Sequence, residues 1–227
     1  IITDYCWLIT LVGIGGIGKT SLSAKVIHNI RDNFDFTIWF SLRNAPPPLE
    51  IISNLLQVLS NGEEVDLARN IPALINKLIE YLQNQRCLIV FDNVDAVFSD
   101  SNYSGNYLPG YEGYGEIFQK VGEIQHQSCL LMTSREKPRE IAAIEGNVLP
   151  VRCLQVNGLD IPEVRKVFAG KGITDGVDSD WERLTVNYGG NPLDLKFIAT
   201  TVLDLFEGDI SSFIVDGSKV FGDVRNL

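Results

Sequence analysis

The sequence predicts an α/β fold: a largely parallel sheet of about five strands flanked by helices, followed by a small helical subdomain. Three observations carry this. Apolar runs over residues 7–12, 36–42, 87–91, 129–133 and 148–154 alternate with segments of helical period, the pattern of parallel strands joined by crossover helices. From Gly158 the alternation stops and only helical patterns follow, so the expected domains are residues 1–157 and 158–227. Between the first strand and the first helix lies Gly13-Ile14-Gly15-Gly16-Ile17-Gly18-Lys19-Thr20, which fits G-x-x-x-x-G-K-[ST], the pattern of a phosphate-binding loop.

Taken in order, residues 7–12 read as a strand and 19–31 as a helix. Residues 36–42 (FTIWFSL) are β-branched and aromatic, and Pro46, Pro47 and Pro48 then end regular structure. Leu49, Ile52, Leu55, Leu56 and Leu59 mark one helix face, which a break over residues 61–66 terminates. Ile71, Leu74, Ile75, Leu78 and Leu82 mark the next, with Pro72 near its start. The run 87–91 has the unbroken apolar character of a strand covered on both faces. Residues 99–113 are polar and rich in glycine and tyrosine, as in a loop insertion, and Tyr114, Ile117, Phe118, Val121 and Ile124 resume helical spacing. After the strands 129–133 and 148–154, Asp160 and Glu163 suit a capping box, Ser179 and Glu182 repeat it, and Asn191-Pro192 caps an apolar helix over 193–206.

Composition narrows the function classes. The 227 residues are 45% hydrophobic and carry a formal charge of −10, from 19 basic and 29 acidic side chains, which argues against broad electrostatic binding to nucleic acid. Cys6, Cys87, Cys129 and Cys153 are widely spaced and lie in or beside apolar runs, which favours buried reduced thiols in a cytoplasmic protein over a disulfide pair. His28 and His126 stand far apart, so no histidine-based metal site is visible. No apolar run approaches a membrane span. The chain begins at Ile1 with Met132 as its single methionine, and is read as a segment of a longer protein.

The residue types of the loop suit phosphate binding. Glycines let successive N–H groups converge on phosphate oxygens, so Gly13, Gly15, Gly16, Ile17, Gly18 and Lys19 are candidate ligands. The helix that follows adds the orphan amides and positive dipole end around Thr20 and Ser21. Lys19 is placed to lie along the β- and γ-phosphates, and the Thr20 hydroxyl to take a magnesium position. Leu88-Ile89-Val90-Phe91-Asp92 ends a buried strand in an acid at the ligand-binding edge of the sheet, so Asp92 is the second candidate for Mg2+. Taken alone Asp92 is an ordinary acidic turn residue; beside such a loop the metal role prevails. Asn93 follows where many hydrolases have a second acid; it orients water but takes no proton. Asp95 is a substitute base or a solvated loop residue, and slow turnover is expected. Arg135, after the strand and its polar pair Thr133-Ser134, either senses the γ-phosphate or is a surface arginine, with Arg139 nearby.

With these strand ends in hand, the sequence resembles the NB-ARC family of STAND-class signal-transduction ATPases, and bacterial, particularly cyanobacterial, members most. GIGGIGKTSL is similar to its phosphate loop, TIWFSL to its second strand, LIVFDNVD to its magnesium strand and LLMTSR to its sensor strand. LQVNGLDIPEVRKVF resembles the segment entering its first helical domain, and GGNPLDL its G-x-P motif. The resemblance implies a P-loop NTPase fold, ATP/ADP with Mg2+, and a contact of Pro192 with the adenine. It also implies self-association in the full-length protein and attached effector or repeat domains. The base-gripping segment upstream and the winged-helix domain downstream are expected to lie outside residues 1–227.

The leading expectation is therefore a regulatory ATP/ADP switch with slow hydrolysis. A P-loop phosphotransferase acting on a small molecule is the alternative, although residues 99–113 lack the arginine of a typical lid. A non-hydrolysing, nucleotide-loaded scaffold is the third. No [NT]-K-x-D tetrad supports a GTPase.

Overall fold

Five runs of apolar or β-branched residues form the sheet in the computed structural model, which describes residues 6–62, 70–99 and 105–217. They are β1 (Leu8–Val12), β2 (Phe36–Ser41), β3 (Cys87–Asp92), β4 (Cys129–Ser134) and β5 (Val151–Gln155). All pair in parallel, in the order β2-β3-β4-β1-β5. The three central strands are buried along their whole length, which is why their sequences are continuously apolar instead of alternating. At one edge β2 alternates half-buried Phe36, Ile38 and Phe40 with exposed Thr37, Trp39 and Ser41. The other edge, β5, becomes exposed toward its end.

By their contacts the residues divide into two compact units: Ile1–Gly13 with Lys19–Gln155, and Ile14–Gly18 with Val156–Leu227. The sheet unit carries α1 (Lys19–Ile30), α2 (Pro48–Leu59), α3 (Ile71–Asn84), α4 (Gly113–Glu123) and α5 (Arg139–Ile144). Its core joins Leu55 and Leu56 of α2, Leu78 and Leu82 of α3, and Tyr114 and Phe118 of α4 to Ile89, Phe91, Leu130 and Met132 of the sheet. Phe91 meets Tyr114 edge-on at 6.3 Å, and the Tyr114 hydroxyl donates to the Pro46 carbonyl at 2.9 Å. Truncating a ring such as Phe118 to alanine in a core of this kind costs about 3–5 kcal/mol. All four cysteines are free; burial pushes the Cys87 thiol up to about 11 and Cys129 up to about 12, so both stay protonated at neutral pH.

The helical unit packs α6 (Ile161–Ala169), α7 (Asp178–Asn187) and α8 (Pro192–Phe206) around Val164, Phe168, Trp181, Leu184, Leu195, Ile198 and Val202. Phe168 and Trp181 meet edge-on at 5.3 Å. Asp160 caps α6 by accepting the Glu163 N–H at 3.1 Å, as its sequence implies.

Several boundaries differ from expectation. Ser179 is not a cap: α7 begins at Asp178 after Val177, with Asp178 paired to Arg165 and Asp180 accepting from Ser211 Oγ. The helix thus begins two residues earlier than the expected Ser179 cap would place it. β5 starts at Val151, not Val148, because residues before it turn back; Val148 is 92% exposed and the Gly146 N–H bonds the Val151 carbonyl at 3.0 Å. The six residues of α5 have no counterpart in the sequence reading, being too short to show a period. α2 ends where expected, with Asn61 and Gly62 both left-handed at φ 54° and 80°. Of the expected break and insertion, residues 63–66 and 100–104 lie outside the described residues. The rest of the insertion is anchored by an antiparallel bridge of Phe98 with Tyr107.

Candidate functional site

Parallel pairing brings the carboxyl ends of β1, β3 and β4 to one edge of the sheet unit. Val12 is in register with Ser134, and the Gly13 N–H bonds the Ser134 carbonyl at 3.3 Å. The glycine loop leaves this edge, and α1 begins at Lys19 directly after Gly18. No acidic residue occupies the first turn of α1, so its amide end is left uncompensated by its own side chains.

Lys19 is buried, 9% exposed, and its Nζ donates to the Gly13 carbonyl at 2.6 Å. Burial lowers its pKa below the ordinary lysine value; Asp95 opposes this, Arg135 reinforces it, and Asp92 opposes it again. The same four charges therefore feel one another at the strand ends. Asp92 is buried at the end of β3, and one oxygen, Oδ1, accepts two hydroxyls: Thr20 Oγ1 at 2.9 Å and Thr133 Oγ1 at 2.6 Å. The Asn93 N–H in turn donates to Thr133 Oγ1 at 3.0 Å. Asn93 itself is left-handed, at φ 64°, a conformation asparagine tolerates better than most residues, and it turns the chain out of β3. Asp95 accepts the Arg135 N–H at 3.1 Å through Oδ1 and lies 3.3 Å from Arg135 Nε through Oδ2. Arg139 belongs to a different cluster, paired to Glu140, which also accepts from the Tyr107 hydroxyl.

The loop residues Ile14–Gly18 pack within the helical unit. Gly16 and Gly18 have φ of 77° and 102°, the positive values for which glycine suits this turn. Ile17 is buried, and its N–H bonds the Ile14 carbonyl at 3.4 Å. Pro192, the first residue of α8, is beside Gly18: a Cβ on that glycine would stand 3.9 Å from the proline Cγ. Asn191 caps α8, accepting the Leu193 N–H at 3.0 Å, and its Nδ2 donates to the Gly15 carbonyl at 2.8 Å.

Of the residues singled out by sequence, Gly13, Lys19, Thr20, Asp92, Asn93, Asp95 and Arg135 thus cluster in the sheet unit, whereas Gly15, Gly16, Ile17, Gly18 and Pro192 cluster in the helical unit. Ser21 is exposed on the first turn of α1. Two residues were missed. Thr133 was visible only as half of a polar strand end, and Asn191 only as a cap.

The donor set suits magnesium. Thr20 and Asp92 present a hydroxyl and a carboxylate, hard oxygen donors already within hydrogen-bond distance, and Mg2+ takes few protein ligands when phosphate and water supply the rest. Among the described residues no group of three or more His, Cys, Asp or Glu side chains is arranged to hold a metal.

A family profile for the NB-ARC domain matches residues 3–109. The chain carries an NB-ARC domain. It is 42% identical over 235 aligned residues to an uncharacterized WD repeat-containing protein of Nostoc sp., an alignment covering 99% of this chain and 19% of that protein. It is 32% identical over 111 residues to disease resistance RPP13-like protein 4 of Arabidopsis thaliana, covering 47% of this chain and 12% of that one. This NB-ARC chain therefore spans under a fifth of the length of either relative. In fold it is similar to the Aeropyrum pernix ORC2 protein, solved in ADPNP–ADP complexes, with a TM-score of 0.51 at 15% identity, over 88% of this chain and 56% of that one. The NB-ARC chain is a nucleotide-binding module on a P-loop ATPase fold.

Proposed function

We propose that this NB-ARC module is an ATP/ADP switch of the STAND class, with hydrolysis as a slow reset. The observation that carries the reading is the convergence on Asp92: Thr20 of the loop helix and Thr133 of the sensor strand both donate to its Oδ1, beside buried Lys19. Loop amides from Gly13, Gly15, Gly16, Ile17 and Gly18 and the first turn of α1, including Ser21, would receive the phosphates. Lys19 would exchange its Gly13 carbonyl for phosphate oxygens. Thr20 and Asp92 would hold Mg2+, which when bound neutralises phosphate charge. Pro192 would pack against the adenine, as the family resemblance implies.

Asp95 suits a role other than a base. An acid engaged twice by Arg135 supports the role of an anchor that aims the arginine at a γ-phosphate, in place of the role of a base. Asn93 then orients water without taking its proton, which supports slow turnover. The engagement of Asp95 by Arg135 favours a second reading, a nucleotide-loaded scaffold without turnover. Tightly retained ADP with no measurable phosphate release selects the second; slow phosphate release lost in Asp92→Ala selects the first.

The Nostoc relative is named for WD repeats and the Arabidopsis relative for disease resistance. The first name supports an attached repeat domain in a larger protein; in the proposed switch, self-association of this module would control such attached repeat or effector domains. Buried, protonated thiols support a cytoplasmic location. The direct test is ADP affinity with Mg2+ and with EDTA. The reading expects a strong metal dependence in the wild type and little in Asp92→Ala; equal metal dependence in both overturns it.

A further inference from the structure

Asn191 spans two jobs with one amide. Its Oδ1 accepts the Leu193 N–H at 3.0 Å and its Nδ2 donates to the Gly15 carbonyl at 2.8 Å. A flipped amide would set donor against donor and acceptor against acceptor, so these partners fix its orientation. The side chain is 4% exposed. Its position is set by the backbone before it: Gly189 and Gly190 are both left-handed, at φ 57° and 63°, and the Gly190 carbonyl accepts the Leu159 N–H at 2.8 Å. The fit to the loop is close. A Cβ on Gly16 would stand 2.8 Å from both Asn191 Oδ1 and Leu193 Cβ.

We infer that Asn191 is a positioning residue for the phosphate loop, acting through the Gly15–Gly16 peptide; this rests on the nucleotide-binding reading above. The peptide is trans, so its C=O and N–H point in opposite directions. Holding the Gly15 carbonyl on Asn191 fixes the Gly16 N–H on the opposite side, away from α8. A phosphate cradle needs N–H groups facing the anion and carbonyls facing away, since a reversed peptide presents an oxygen to another oxygen. Asn191 thereby sets one cradle amide from a helix 176 residues further along the chain. A shift of α8 against the loop would release that peptide, which links phosphate affinity to the arrangement of the helical unit.

Asn191→Ser separates the two jobs, because serine caps a helix about as well as asparagine but is too short to reach Gly15. The expected result is ADP affinity about tenfold weaker, the scale of one hydrogen bond. NMR supplies a readout that a mere cap would not move. In the nucleotide-free protein the Gly15 carbonyl carbon resonance moves upfield in Asn191→Ser, and on adding Mg-ADP the Gly16 amide shift seen in the wild type is reduced while that of Gly18 persists. Should Asn191→Ser fold poorly, Asn191→Asp keeps the capping oxygen, faces Gly15 with an acceptor, and is expected to weaken ADP binding in the same direction. Unchanged ADP affinity with an unchanged Gly15 carbonyl resonance overturns the inference while leaving nucleotide binding intact. A wild type that binds no ADP overturns the underlying reading and the inference with it.

Discussion

Asp95 and Arg135 are locked together at the ends of β3 and β4. Asp95 Oδ1 accepts the arginine's backbone N–H at 3.1 Å, and Oδ2 lies 3.3 Å from its Nε. The backbone contact fixes where the arginine leaves the strand and the side-chain contact fixes its direction, while the side chain remains 65% exposed. An ion pair so open to solvent adds at most about 1 kcal/mol to stability. Its consequence is for ligand discrimination. Arg135→Ala is expected to leave thermal stability nearly unchanged and ADP affinity intact, but to lower ATP affinity about tenfold, the scale of a charge-assisted contact with the third phosphate. Parallel titrations with ADP and a non-hydrolysable ATP analogue measure the ratio. Equal losses for both nucleotides would remove Arg135 from the sensor role.

Thr133 is the inner support of the metal carboxylate. It is 1% exposed, donates to Asp92 at 2.6 Å and accepts the Asn93 N–H at 3.0 Å. Thr133→Val keeps the shape and removes both bonds. Leaving the Asn93 N–H without its acceptor is expected to cost about 1–3 kcal/mol in urea unfolding. Asp92 would also lose its inner hydroxyl, so the Mg2+ dependence of ADP affinity should weaken. Thr133→Ser, which restores the hydroxyl, should recover most of that dependence. If valine and serine behave alike, Thr133 is only packing.

His126 makes stability sensitive to mild acid. The ring is buried; Nδ1 accepts the Ser128 N–H at 3.2 Å and Nε2 meets the Val121 carbonyl at 3.0 Å, contacts that require a neutral ring protonated on Nε2. Burial lowers its pKa below the ordinary histidine value. The neutral ring therefore favours the folded state. This contribution is fully present above about pH 6.5 and is lost as pH falls below it toward the folded pKa, because the unfolded chain takes up the proton first. Urea unfolding at pH 7.5 and 5.5 should show the wild type losing more stability than His126→Gln. An equal loss in the two proteins would exclude His126 as the cause.

Much of the fold was legible because burial leaves a local trace. The strand 87–91 is apolar throughout because both faces of β3 are covered, and its acid marks the carboxyl edge. Asn191-Pro192 marked a helix start because a cap and a first-turn proline are neighbours in sequence. Contacts that depend on distant partners left no such trace. Thr133 meets Asp92 across 41 residues, and Asn191 meets Gly15 across 176. The arginine of LLMTSR is visible in sequence as a candidate sensor, yet its engagement with Asp95 is not, so sequence alone leaves Asp95 open between a substitute base and a solvated loop residue. The start of α7 is not legible because Asp178, Ser179 and Asp180 are all good first-turn residues, distinguished by distant partners, Arg165 for Asp178 and Ser211 for Asp180.

The central claim is that the loop around Lys19 holds the phosphates of an adenine nucleotide, and calorimetric titration of Mg-ATP and Mg-ADP into the wild type and Lys19→Ala tests it most directly. Lys19 donates to the Gly13 carbonyl, while Thr20 and Thr133 donate to Asp92 Oδ1. Both nucleotides are expected to bind the wild type, with affinity at least about tenfold weaker in Lys19→Ala and the larger loss for ATP. Equal affinities in the two proteins would contradict that claim.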